Sequence, residues 1–242
     1  MISLRLFILL IPFLLMACNN DNNNPIVEPI QIPIDSINIV TAPKNIRYLA
    51  LGDSYTIGQD VDVDKRFPVQ LVGSLRRRGY QCYNANIIAQ TGWRTDNLMT
   101  GIANENLTDT FSLVSLLIGV NNQYQGRPQN IYRAEFRTLL QQAIGFAGGD
   151  KNKVFVLSIP DYGVTPFAGF NGPQISQQID EFNAINLEVT DSFNIEYFNI
   201  TPISRLAENG PALLANDQLH PSGKMYRMWV ELILDDVESK ID

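Results

Sequence analysis

One histidine, His220, and two cysteines, Cys18 and Cys82, are all the imidazole and thiol side chains that this 242-residue chain holds. No cluster with metal-ligand spacing appears, so neither a metal nor any other cofactor is expected. Cations are in short supply as well: 18 Lys and Arg against 25 Asp and Glu leave a formal charge of −7, and no basic cluster exceeds Arg76-Arg77-Arg78. That balance excludes nucleic acid as a partner, because nothing in the chain could track a phosphate backbone. The arginine triplet reads as the solvated end of a helix. No internal period marks a repeat architecture. The apolar stretch over 6–16 is too short for a comfortable membrane span of ~20 residues.

What the chain does have begins with the layout of an export signal: an early cation, Arg5, the apolar stretch 6–16, and small Ala17 before Cys18. Leu15-Met16-Ala17-Cys18 resembles the lipobox of bacterial lipoproteins. That resemblance implies lipidation of Cys18, an exported protein of the bacterial cell envelope, and attachment to a membrane through several acyl chains. Residues 19–44, rich in Asn and Pro, carry no helical period and read as a solvated tether. At full stretch it would reach roughly 80 Å. With Cys18 lipidated, Cys82 stands alone, so a disulfide framework is excluded and Cys82 reads as buried apolar filler. The expected organisation is a signal over 1–18, a tether over 19–44 and one domain over 45–242.

At 45% hydrophobic composition the chain has apolar material for one domain of about 200 residues. Short, continuous apolar runs over 46–52, 83–90, 113–119, 154–159 and 195–200 predict strands covered on both faces. Helical patterns over 68–78, 95–104, 130–146 and 175–193 alternate with them. The third puts Phe136, Leu139, Leu140, Ala143 and Ile144 on one face and stops at Gly148-Gly149. A last helix is expected from Pro221 to about Val237. Such alternation predicts an α/β fold, a five-stranded parallel sheet between two helical layers. Ligand sites in these sheets lie beyond the carboxyl ends of the strands. Ser54, Gly92, Asn121 and the loop Asp161-Tyr162-Gly163 all fall there.

A serine just past a strand, in Gly52-Asp53-Ser54, is either ordinary turn chemistry or a nucleophile. The choice turns on whether the chain supplies a base, an orienting acid and oxyanion donors. A lone histidine is commonly a capping or surface residue. His220, however, has Asp217 three residues before it and Pro221 after it, and a three-residue step through a turn can bring a carboxylate to the imidazole Nδ1–H, leaving Nε2 as a base. Gly92 lacks a side chain that would block approach to its N–H, and the Asn121 amide is a second donor.

Taken together, Gly52-Asp53-Ser54, Gly92, Asn121 and Asp217-Gln218-Leu219-His220-Pro221 resemble, in order, the four motif blocks of the SGNH, or GDSL-type, hydrolases. The resemblance runs from Ile46 to about Val237. It implies a flavodoxin-like α/β/α sandwich with Ser54 as nucleophile, His220 as base, and Asp217 as its partner. The Ser54 and Gly92 N–H groups and the Asn121 side chain would form the oxyanion hole. One block departs: the third usually reads Gly-x-Asn-Asp and here is Gly119-Val120-Asn121-Asn122. A Gly-x-Ser-x-Gly elbow is absent, which argues against an α/β-hydrolase origin for the triad. The expected function is a metal-independent serine esterase for short acyl groups, acetyl first, on a small ester or an acylated glycan. A lysophospholipase or thioesterase, and a non-catalytic glycan- or protein-binding lipoprotein, are the alternatives. Trp93, Tyr124, Phe167 and Phe170 are candidates for lining the site.

Overall fold

In a computed structural model the chain is described over residues 45–241. The expected signal and tether, with Cys18, lie outside the described residues. Strands β1 (Asn45–Ile46), β2 (Tyr48–Gly52), β3 (Gln81–Cys82), β4 (Asn86–Ala89), β5 (Leu113–Leu117), β6 (Val154–Leu157) and β7 (Glu196–Phe198) alternate with helices. The longer helices are α2 (Phe67–Arg77), α3 (Thr95–Glu105), α5 (Gln129–Phe146), α6 (Gly172–Ser192) and α8 (Gly223–Ser239); α1 (Ser54–Ile57), α4 (Val120–Tyr124) and α7 (Thr201–Arg205) are single turns.

Five strands form one parallel sheet in the order β4-β2-β5-β6-β7. Every residue of β2, β5 and β6 is buried, which is why these segments read as unbroken apolar runs. Tyr48 and Ser115 are the polar exceptions, and each satisfies the other, their hydroxyls meeting at 2.7 Å. The chain steps from β2 outward to β4, then back across β2 to β5, so the strand order reverses between β2 and β5. That crevice is where open α/β sheets place their ligands.

Helix α2 buries Phe67, Leu71, Val72 and Leu75 and packs on α8, whose buried stripe is Met225, Tyr226, Trp229, Val230, Ile233 and Val237. Phe67 and Trp229 sit with ring centroids 6.0 Å apart. A fully buried apolar side chain of this size contributes about 1.5–3 kcal/mol. Helix α5 packs against both α3 and α6.

Three local expectations are corrected. The run 83–90 is not one strand: Gln81–Cys82 pairs with Asn45–Ile46 in a separate two-stranded sheet, and only Asn86–Ala89 joins the main one. Cys82 is half-buried rather than buried, because this small sheet lies at the margin of the core. The last helix starts at Gly223, with Ser222 Oγ accepting the Met225 N–H, since Pro221 is held in an antiparallel bridge to Leu214.

Candidate active site

Strand β2 ends where Gly52 lies between Ala89 and Leu117 of its neighbours. A side-chain carbon at Gly52 would collide with Thr56 and with the Leu117 carbonyl, so glycine is what lets the turn of α1 fold down onto the strand ends. Ser54 is the first residue of that turn. Asp53 caps it, accepting the Tyr55 N–H at 3.0 Å. The Asp53 carboxyl is fully buried, and burial pushes it up to about 7, opposed by hydrogen bonds from the Tyr55 and Gly119 N–H groups.

Gly92, in the loop after β4, has φ +83°, a conformation in which glycine is at ease. Asn121 is in α4, directly after β5. Its Nδ2 donates to the Trp93 carbonyl at 2.9 Å. An amide nitrogen carries two protons, so one remains for an incoming oxygen. Asn122, standing where the family pattern has Asp, turns away from the cavity: its Oδ1 accepts the Thr95 N–H at 3.0 Å and its Nδ2 donates to Thr95 Oγ1 at 2.7 Å.

The loop before α8 is closed by hydrogen bonds from Ala215 N to the His220 carbonyl (2.8 Å) and from Ser222 N to the Leu213 carbonyl (2.8 Å). Within it, Asp217 Oδ2 lies 2.6 Å from His220 Nδ1. Asp217 Oδ1 accepts the N–H groups of Leu219 and His220, each at 3.0 Å. Desolvation raises the Asp217 carboxyl, but the His220 ring and these two N–H groups outweigh it and hold it below the usual aspartate value. A carboxylate against Nδ1 keeps the ring proton there and leaves Nε2 as the basic nitrogen. The Tyr55 ring packs on the imidazole, centroids 5.6 Å apart.

Ser54, Gly92, Asn121 and His220 line one cavity of about 160 Å³, so four of the five candidate site residues from three separate strand ends and the last loop meet there, with Asp217 directly behind His220. Its apolar walls are Tyr55, Val120, Tyr162 and Leu219, with Tyr124 and Phe167 at 60% and 52% exposure. Trp93 and Phe170, expected to line the site, do not: the Trp93 ring packs on Gly101 of α3, and Phe170 stands fully exposed. Sequence reasoning missed Asp60, whose Oδ2 accepts the Asp217 N–H at 2.8 Å across 157 positions of chain. It placed the Asp161-Tyr162-Gly163 loop at this end of the sheet without giving Tyr162 a role, and it gave none to Tyr55.

Residues 50–228 match the GDSL-like lipase/acylhydrolase family. Among solved structures, the lipase/acylhydrolase from Enterococcus faecalis is 20% identical, with 81% of this chain and 97% of that one covered at a TM-score of 0.63. An acetylxylan esterase from Geobacillus stearothermophilus is 16% identical over 79% of this chain and 94% of that one, TM-score 0.61. A psychrotrophic esterase from Pseudoalteromonas sp. is 14% identical over 80% and 97%, TM-score 0.58. No curated protein matches the chain by sequence.

Proposed function

Because the chain belongs to the GDSL-like lipase/acylhydrolase family and is a carboxylic ester hydrolase, we propose that Ser54, His220 and Asp217 form its catalytic triad and that it removes short acyl groups, acetyl first, from carbohydrate. The observation that carries this reading is the 2.6 Å contact between Asp217 and the His220 ring at the wall of the cavity that also holds Ser54, Gly92 and Asn121.

In this mechanism Ser54 Oγ attacks the ester carbonyl while His220 Nε2 takes its proton. The carbonyl oxygen becomes an oxyanion held by the Ser54 and Gly92 N–H groups and the free proton of the Asn121 amide. A donor in such a place is worth about 3–4 kcal/mol of barrier. His220 then returns the proton to the departing alkoxide, and water repeats the sequence on the acyl-serine. Asp217 stays ionised throughout and balances the imidazolium.

The substrate assignment is supported by size and by surface. A cavity of about 160 Å³ is small for a long acyl chain, and the exposed faces of Tyr124 and Phe167 offer apolar platforms to a sugar ring. An acetylxylan esterase shares the fold. Lipidation of Cys18 would keep the enzyme in the bacterial envelope, within reach of acetylated glycans. The test is a series of p-nitrophenyl esters from acetate to palmitate beside acetylated xylooligosaccharides. The expected order is acetate and butyrate above the long chains, with acetate released from the oligosaccharide. A preference for palmitate overturns the short-acyl reading.

A further inference from the structure

Two of the proposed oxyanion donors belong to different loops, Gly92 to the one after β4 and Asn121 to the one after β5. Their spacing depends on what joins the loops. One joint is the bond from Asn121 Nδ2 to the Trp93 carbonyl. The other lies just beyond it, between Asn122 of α4 and Thr95 at the start of α3, both fully buried.

The direction of every bond at this second joint is forced. The Thr95 backbone N–H can only donate, so it fixes Asn122 Oδ1 opposite it and turns Nδ2 toward Thr95 Oγ1. Having accepted that amide proton, the Thr95 hydroxyl gives its own proton to Glu135 Oε2 on α5. Glu135 is 18% exposed at the side chain, and Arg127 Nη2 lies 3.9 Å from its other oxygen. The negative charge that completes the network therefore sits on α5, at the partly solvated edge, and not in the buried oxyanion loop.

We propose that Asn122, Thr95 and Glu135 act as a one-way hydrogen-bond relay of positioning residues that sets the distance between the Gly92 and Asn121 donors, with amide and carboxylate at its two ends interchangeable only as a pair. The proposal rests on the reading of Gly92 and Asn121 as oxyanion donors. A carboxylate at 122 would still accept the Thr95 N–H, but would face Thr95 Oγ1 with an acceptor. One hydroxyl proton would then lie between two carboxylates, and one carboxylate oxygen would be left facing Thr95 Oγ1 with no proton between them. An amide at 135 resolves the conflict by donating to Thr95 Oγ1, whose proton turns toward 122. The Thr95 N–H still donates to 122, and the two bonds of the Thr95 hydroxyl re-form with their direction reversed.

The test measures kcat and KM of the full chain on p-nitrophenyl acetate. Glu135→Gln alone is expected within about threefold of wild type, since an amide oxygen also accepts the Thr95 proton. Asn122→Asp is expected to lower kcat about tenfold or more with KM within about twofold, as a loop displaced from the transition-state geometry would. The double variant Asn122→Asp/Glu135→Gln is expected to return kcat to within about threefold of wild type. The ratio of Asn122→Asp to wild-type activity is expected to rise as pH falls, because a protonated carboxyl at 122 donates to Thr95 again. A wild-type kcat for Asn122→Asp, or a double variant no better than the single one, overturns the relay. Should Asn122→Asp not fold, Thr95→Val and Glu135→Leu replace it: each alone is expected to lower kcat about tenfold and the pair no further than either, whereas additive losses overturn the relay. Asn121→Ala separates the two readings. If it leaves kcat unchanged, the oxyanion assignment has failed; if it lowers kcat while Asn122→Asp and the double variant coincide, the relay alone has failed.

Discussion

Asp53→Asn is the perturbation whose size and sign follow most directly from the structure. The Asp53 carboxyl is wholly buried beneath Ser54, and burial lifts it from the ordinary aspartate value of 3.8 to about 7. Between those two values the folded protein keeps a proton that the unfolded chain has lost. Stability therefore falls as pH rises through the window, is undiminished below 3.8, and has lost the whole contribution above 7. A shift of this size corresponds to about 4 kcal/mol in full, of which about 2–3 kcal/mol falls between pH 5 and pH 8. Asparagine preserves the acceptor for the Tyr55 N–H and carries no charge. Urea unfolding of wild type and Asp53→Asn at pH 5 and pH 8 reads the effect, and every other titration cancels in the difference. The variant is expected to gain about 2–3 kcal/mol on wild type between the two pH values. Parallel pH dependence of the two proteins would refute a carboxyl held protonated under the nucleophile.

Two shorter expectations follow from the proposed function. Asn121→Ala should lower turnover roughly a hundred- to a thousandfold with little change in KM, because its free amide proton matters most once the carbonyl oxygen is charged. Cys18→Ala should move the protein from the membrane fraction to the soluble fraction with esterase activity retained, and the wild type should carry lipid on Cys18 when its amino-terminal peptide is weighed by mass spectrometry. A wild type without lipid removes the anchor.

The sequence carries the outline of the site because each block lies at a strand end or in the loop before the last helix, where position alone implies proximity. Gly52-Asp53-Ser54 after an apolar run and Asp217 three residues before His220 are local patterns, and local patterns survive translation into structure. What escaped depends on contacts between distant segments. Glu135 is 40 residues from Thr95, and Asp60 is 157 from Asp217, so no spacing rule joins them. The run 83–90 misled because only its residues 86–89 pair with β2, while residues 81–82 just before it pair with the chain entering the domain. Tyr83 between them is 57% exposed, and hydrophobicity alone did not report that. Trp93 misled for a related reason, since a glycine facing it on α3 gives the ring somewhere to pack other than the cavity.

The central claim, that His220 activates Ser54, is tested most directly by covalent labelling of the full chain with a p-nitrophenyl alkylphosphonate, followed by peptide mass spectrometry. An organophosphonate reports the activated nucleophile without requiring the natural ester. The expected result is a single phosphonylated serine at Ser54 in wild type, and a rate of labelling several orders of magnitude lower in His220→Ala at an unchanged melting temperature. Labelling at another serine, or His220→Ala labelling Ser54 as fast as wild type does, would contradict the claim.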